Sequence, residues 1–410
     1  MSESEVDVAI IGGGLVGASL ALALAPTGLK TALIEVVAPD ANAQPSFDDR
    51  TTALGNGTRR SFEALGIWSQ VTLRAAPIRR IHVSDAGRFG FARLEANECG
   101  IEAFGYVVTN RMLGTALRSA ISNLPNLDLR MPAKCTGVVL HEQGVELATE
   151  PAASLLRARL VVAADGADSK VRAAAGLAAS IEDYRQVAIV SHVRSSRSAD
   201  GTAYERFTAQ GPFAVLPLFD GAYGVVWTLA PEAAERVLAF TDEDYLAALQ
   251  REFGWRIGSL LSVGKRNAYP LRLSRAETLT GQRVVLIGNA AQGLHPVAGQ
   301  GFNLGLRDAA TLAELLAEVA RRHGRAADVG ASQVLQEFAS RRSADREGVT
   351  RFTDGLVKLF GDTRPGVPLL RDLSLLLFDL SPTAKQALSR LSWGFAGRTP
   401  RLGRGLGVML

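Results

Sequence analysis

Apolar residues dominate Val6–Ile11 (VDVAII), stop at Gly12, Gly13, Gly14 and Gly17, and resume in ASLALALA. A short apolar run ending in glycines predicts a buried strand, and the Ala/Leu run after it predicts a helix. TALIEVV (Thr31–Val37) is a second buried strand, so the chain opens as a βαβ unit. Arg60–Val71 has helical periodicity, Ile78–Ala86 alternates as a strand, and AFGYVVT reads as another strand. Arg111–Ser122 predicts a helix, and Arg157–Arg172 (RARLVVAADGADSKVR) predicts strand, turn and helix.

From about Tyr184 to Trp227 the pattern becomes β, in VAIVSHV, YERFTA, FAVLPLF and YGVVWTL, with Gly and Pro between the runs. QRVVLIGNAAQGLHPVAGQGFNLGLRDAATLAELLAEV then returns to strand, glycine-rich loop and long helix. The expected fold class is α/β: a Rossmann-like nucleotide-binding domain, an inserted mainly-β substrate domain and a C-terminal helical segment. The α/β domain takes residues 1–75, 106–180 and 276–355. The sheet domain takes 76–105 and 181–275, and 356–410 forms the helical segment and tail. Leu369–Leu380 predicts a leucine-rich helix, and the basic, Gly-rich RTPRLGRGLGVML is expected to be poorly ordered.

Composition narrows the function. The chain has 410 residues, 47% of them hydrophobic, enough for a large core in two or three domains. A net charge of +4, carried by scattered arginines, gives no face dense enough for nucleic acid. Cys99 and Cys135 have no metal-ligand spacing, so no metal is expected and a reducing compartment fits. No basic leader and no run of about 20 apolar residues is seen, so the expectation is a cytoplasmic protein, with membrane-surface attachment an option.

Three stations carry the candidate chemistry. Gly12, Gly14 and Gly17 are spaced GxGxxG between strand and helix, which lets a backbone approach a pyrophosphate at a helix N-terminus. Glu35, at the end of the second strand, can accept from both ribose hydroxyls and would repel a 2′-phosphate, favouring FAD or NAD over NADP there. Asp165 and Gly166 lie at a strand end, where the acid could equally cap the next helix. Gly288, Gly299, Gly301 and Gly305 free the third loop to curl on a ligand, and Asn303 could bond a ring edge or phosphate.

GGGLVG, ADGADSKVR and GNAAQGLHPVAGQGFNLGLRDA, in this order, resemble the FAD-binding signatures of the para-hydroxybenzoate hydroxylase-like (class A) flavoprotein monooxygenases. PSFDDRTTAL, YERFTAQGPFAVLPLFDG and GKRNAYPLRL resemble the ubiquinone-biosynthesis branch, most of all its UbiH-type 2-polyprenyl-6-methoxyphenol hydroxylases. The resemblance implies FAD as cofactor, NAD(P)H and O2 as co-substrates, and hydroxylation of a polyprenylated phenol. It implies contacts to FAD from Arg50 and Arg111, from Asp165 and Gly166 (tied also to NAD(P)H), and from Gly288 through Asn303, with Pro296 near the flavin ring. Asn289 stands where the wider family usually has aspartate, a change in which the chain resembles the UbiH branch.

A general base would help a phenol react. His295 is the first candidate, with backbone bonding as the alternative. His192, on a strand of the inserted sheet, is a second candidate, with a structural role as the alternative. For the substrate pocket, His192, Tyr204 and Arg206 could face the ring, and Phe213, Leu216 and Pro217 could wall it, with sheet core as the alternative for these three. The leucine-rich helix could meet a bilayer or partner, with Arg371 and the tail arginines binding anionic lipid, or it could be a core or dimer helix. Other ubiquinone-biosynthesis proteins are conceivable partners. Rival readings are a hydroxylase for a soluble phenol or another ring position, a flavin-dependent isoprenoid saturase, and a flavin-binding scaffold subunit of a quinone-synthesis complex.

Overall fold

The computed structural model describes residues 4–38, 48–151, 154–362, 364–381 and 398–409. The expected α/β domain is built on a sheet whose central strands are parallel. Ser4–Ile11 lies between Ser154–Ala163 and Thr31–Ile34, with Val284–Leu286 and Leu127–Arg130 beyond them. Val8, Ala9 and Ile10 have no exposed surface, which is why the first strand reads as an apolar run rather than an alternation. The helices Leu15–Leu24, Asn110–Ile121 and Gln300–His323 cover the sheet, and the long helix Ser332–Gly361 packs on the last of these.

A second sheet takes its main strands from Arg80–Asp85 and Phe91–Glu95, and from Ala179–Ser195 through Asn267–Ala276. Its centre is a run of antiparallel neighbours: Ala179–Ser195, Tyr223–Leu229, Gly211–Pro217 and Thr202–Thr208. One face carries Ile189, Phe213, Val225 and Trp227 against the helix Asp242–Phe253, a separate apolar core. The opposite face looks toward the first domain. A small sheet of Thr51–Gly55, Gly105–Thr109 and Ala76–Ile78 joins the two. Gly224 lies so close to it that an added Cβ would stand 2.9 Å from the Thr51 side chain.

Four expectations change. The helix expected over 60–71 is two, Asn56–Ala64 and Trp68–Thr72, because Gly66 between them is left-handed, at φ 77°. The strand expected over 78–86 belongs to two sheets, as Ala76–Ile78 and Arg80–Asp85. The tail is not loose: Leu402 and Val408 are buried in the main core, and the Arg401 amide donates to Glu314 Oε2 at 2.6 Å.

The fourth concerns the leucine-rich helix, which spans Val367–Asp379 and turns its charges inward. Arg371 donates from Nε to Asp85 Oδ2 at 2.9 Å, Asp372 accepts from Arg88 Nε at 2.7 Å, and Asp379 accepts from the Arg93 amide at 2.7 Å. Leu369, Leu370, Leu373 and Leu377 face outward, while Leu375 and Phe378 pack against the chain's own apolar clusters. Arg371 is buried in an ion pair and cannot reach a lipid headgroup, contrary to expectation, because the side chains that anchor this helix are its polar ones.

Candidate cofactor and substrate site

The glycine turn is built as its spacing implies. Gly12 has φ 103°, which favours glycine, and its added Cβ would press on the Ala164 carbonyl. A Cβ on Gly17 would overlap the Gly12 carbonyl oxygen, so the helix can pack this close to the strand only with glycine there. Gly14 caps the helix Leu15–Leu24 without a side-chain hydrogen bond, so the helix N-terminus keeps donors for an anion. Glu35 is buried beside this turn. Its Oε2 accepts from the Gly13 amide at 2.6 Å and its Oε1 from the Val37 amide at 2.9 Å. Gly13, Glu35, Val37, Arg118 and Met131 line a small recess next to it.

At the second station Asp165 holds the start of the following helix. Its Oδ2 accepts from the Lys170 amide at 2.9 Å, holding the start of the helix Lys170–Ala174. Its Oδ1 is buried with no hydrogen-bond partner among the described residues. Gly166 is left-handed (φ 91°) with open space where a Cβ would stand. Arg172, in the same short helix, reaches across to donate to the Ala290 carbonyl at 2.8 Å and so ties this station to the third.

The third station caps the helix Gln300–His323 at Gly299, left-handed and again without a side-chain cap. A Cβ on Gly301 would meet nothing within 4 Å. Asn289 and Pro296 are exposed in a loop whose other described residues are mostly buried. Asn303 differs from expectation. Its Oδ1 accepts from the Gly55 amide at 2.9 Å and Thr58 Oγ at 2.6 Å, and its Nδ2 donates to the Ala53 and Gly299 carbonyls at 2.8 Å each. Both donors and both lone-pair directions are used, so the amide latches the loop to the Thr51–Gly55 strand rather than reaching a ligand.

Arg50 and Arg111 are brought together. The Arg111 amide donates to the Asp48 carbonyl and its Nε to Asp49 Oδ1 at 2.8 Å, an ion pair that holds the Asp49 carboxyl below its usual range. Arg50 pairs with Asp48 at 2.6 Å and lies over the Tyr269 ring, 4.6 Å from its centre. Both cations therefore stand at the start of the Thr51–Gly55 strand, beside the third loop.

His295 is corrected as a general base. Its Nδ1 accepts from the Val297 amide at 3.2 Å, which places the ring proton on Nε2. Burial lowers its pKa to about 4, so the ring is neutral near pH 7, with one nitrogen engaged and the other a donor. Strand parity corrects the pocket walls. Phe213 packs on Trp227 and Phe253, Tyr204 meets Phe253 edge-on at 5.4 Å, and Arg206 donates to the Glu252 carbonyl. All three turn to the Asp242–Phe253 helix, away from the first domain. Pro217 pairs in register with Tyr223, whose side chain lies in that same core. The opposite face carries His192, whose Nε2 is buried and unpartnered among the described residues, and Leu216.

A network that sequence reasoning did not assign holds the third loop from below. Asp308 Oδ2 accepts from the Gly288 amide at 3.1 Å and from Gln292 Nε2 at 2.8 Å, while Oδ1 takes Arg342 Nε at 2.7 Å. Arg342 also donates to Asp345 at 2.6 Å, and the two carboxylates raise its pKa against the effect of burial. Asp308 was visible in GLRDAA, but nothing near it in the sequence points to Arg342.

The glycine cradles, the open helix N-termini and the orphan Asp165 oxygen fit a dinucleotide laid along the three stations. Residues 5–353 match the family model for the FAD binding domain. The chain belongs to this family. It is similar along its whole length to ubiquinone hydroxylase UbiL of Rhodospirillum rubrum, with 37% identity over 99% of this chain and 94% of that one. It is 30% identical to 3-demethoxyubiquinol 3-hydroxylase of Escherichia coli, over 96% of this chain and all of that one. Its fold matches p-nitrophenol 4-monooxygenase PnpA from Pseudomonas putida with a TM-score of 0.80 and 20% identity, over 97% of this chain and 100% of that one. As a member of this family the chain is an FAD-dependent monooxygenase that uses NAD(P)H as co-substrate.

Proposed function

We propose that this protein hydroxylates the ring of a polyprenylated phenol on the ubiquinone pathway, converting a 2-polyprenyl-6-methoxyphenol to the 1,4-benzoquinol. The observation that carries this reading is the full-length similarity to two hydroxylases named for ubiquinone and demethoxyubiquinol. When bound, FAD supplies the electron transfer and oxygen activation. The chain supplies position. Gly12, Gly14, Gly17 and Glu35 hold the adenosine and pyrophosphate end, and Arg50, Arg111 and Asp165 reach the middle of the cofactor. Gly288, Asn289, Pro296, Gly299 and Gly301 border its ring, with Asn303 fastening the loop. The inward face of the second sheet, with His192 and Leu216, closes over the ring and keeps water from it.

The similarity to an enzyme named for position 3 favours a second reading, in which another ring carbon is hydroxylated. Among the described residues no helix is long and apolar enough to cross a membrane. The outward leucines of Val367–Asp379 support contact with a membrane surface, where a polyprenyl substrate resides.

The test supplies holoprotein with a short-chain 2-prenyl-6-methoxyphenol, NAD(P)H and O2. Accelerated NAD(P)H oxidation and a product one oxygen heavier are expected, and the product's substitution pattern separates the two readings. No acceleration and no product would refute both and leave the scaffold alternative.

A further inference from the structure

One carboxyl, that of Glu205, stands between Tyr204 and Arg206. Glu205 lies on Thr202–Thr208, where Tyr204 and Arg206 turn toward the Asp242–Phe253 helix. Glu205 therefore turns to the other side. Its neighbours at that spacing confirm the side: Ala203 packs with Ala53 and Leu216, and Phe207 packs with Val297 of the third loop and with Phe360. In register, Glu205 stands opposite Val83 on one side and Ala214 on the other, and the row continues through Val226 to Val190. From Val83 to Val190 this row has no other polar side chain; the next residue in register is Asn267.

Glu205 is half-buried. It makes no hydrogen bond or ion pair with any described residue. Small neighbours, Ala203 and Ala214, leave space above it. Orphan polar atoms belong to the same inter-domain side: His192 Nε2 and Thr51 Oγ, beside Gly224, and His295 Nε2 on the third loop. A lone carboxyl on an apolar surface facing the flavin loop has no structural partner to explain it.

We propose that Glu205 binds the substrate's phenolic hydroxyl and accepts its proton during hydroxylation. This rests on the proposed phenol hydroxylase activity. As the ring carbon ortho or para to the phenol oxygen forms its bond to oxygen, the phenolic O–H breaks and its proton passes to a Glu205 carboxylate oxygen. The O–H electron pair becomes the carbonyl of a transient dienone. That carbon then loses its hydrogen as a proton to water, and Glu205 returns its proton to the carbonyl oxygen, leaving two hydroxyls on an aromatic ring. O2 supplies the oxygen atom, NAD(P)H the two electrons, and the second oxygen leaves as water.

Burial raises the Glu205 pKa to about 7, which suits a group that must both take and return a proton near neutrality. No charged side chain acts on it. On the same side of the sheet domain, Asp85 is paired with Arg371, His295 is neutral, and His192 stands across the sheet face.

The test is binding to holoenzyme of 2-methylphenol and of its methyl ether, 2-methylanisole, at pH 5.5 and pH 8. The wild type should prefer the phenol by about tenfold or more at pH 8, the range for a hydrogen bond to a charged acceptor. It should lose most of that preference at pH 5.5. Glu205→Gln, nearly isosteric and free of the buried charge, should bind both probes within about twofold of each other at both pH values. Glu205→Asp should retain the pH dependence with weaker binding. If Glu205→Gln keeps the wild-type preference and its pH dependence, the inference is overturned. If the wild type binds neither probe and neither quickens NAD(P)H oxidation, it is the phenol hydroxylase reading that fails.

Discussion

Replacing Asp308 with alanine isolates the network beneath the flavin loop. Asp308 and Arg342 are each about 1% exposed, and the ion pair between them spans 2.7 Å. Without Asp308, Arg342 keeps only Asp345, which it shares with Arg307 at 2.8 Å. Breaking one partner from a buried pair costs about 3–5 kcal/mol, because the remaining charge stays out of water. The Gly288 amide and Gln292 also lose their acceptor, at about 1–3 kcal/mol for each buried donor left unpaired, overlapping with the first term rather than adding to it. A loss of about 3–5 kcal/mol in denaturant unfolding is therefore expected. FAD release, read by flavin fluorescence, should rise in parallel because Gly288 begins the loop. Asp308→Leu combined with Arg342→Leu removes both charges and should recover much of the loss, since an apolar pair of similar volume needs no desolvation. An Asp308→Ala protein within 1 kcal/mol of wild type, with FAD retention unchanged, would refute the assignment.

Three further outcomes follow from the geometry. Gly17→Ala must drive a Cβ into the Gly12 carbonyl, so it should lower apoprotein stability as well as FAD content, measured by thermal unfolding and bound flavin. Gly301→Ala meets no protein atom, so apoprotein stability should be unchanged or higher by up to about 1 kcal/mol from helix propensity, while FAD affinity falls; equal FAD affinity would remove Gly301 from the cradle. His295 is neutral in the folded protein down to about pH 4 but titrates at its ordinary 6.5 when unfolded, so the unfolded state binds more protons in that window. Stability should fall as pH drops from about 6.5 to 4, by at most about 3 kcal/mol, and His295→Gln should flatten that acid limb in urea titrations.

The glycine stations were legible because their chemistry is local. A strand, a turn needing positive φ and a helix packed against it are adjacent in the chain, so Gly12, Gly17 and the capping glycines announce themselves by spacing. Glu35 and Asp165 were legible for the same reason, each standing at a strand end. Pairings between distant segments were not. Asp308 and Arg342 are 34 residues apart on two helices, and only helix packing makes them a pair. The tail looked loose because glycine and arginine dominate it, yet Leu402 and Val408 find a core that other segments build.

What the chain alone determined is that it folds as an α/β dinucleotide-binding protein with a sheet domain, since periodicity and glycine spacing follow from backbone geometry. What the tertiary structure decided is which face of each element turns toward the glycine stations. Alternation in YERFT is the same whichever side is buried, and both sides of that strand are covered, so parity could not choose among Tyr204, Glu205 and Arg206. Packing of the Asp242–Phe253 helix on one face settled it, leaving Glu205 turned to the flavin loop. The same holds for Val367–Asp379, where leucine content left surface, core and dimer roles open and ion pairs to Asp85 and Arg88 turn Leu369, Leu370, Leu373 and Leu377 outward.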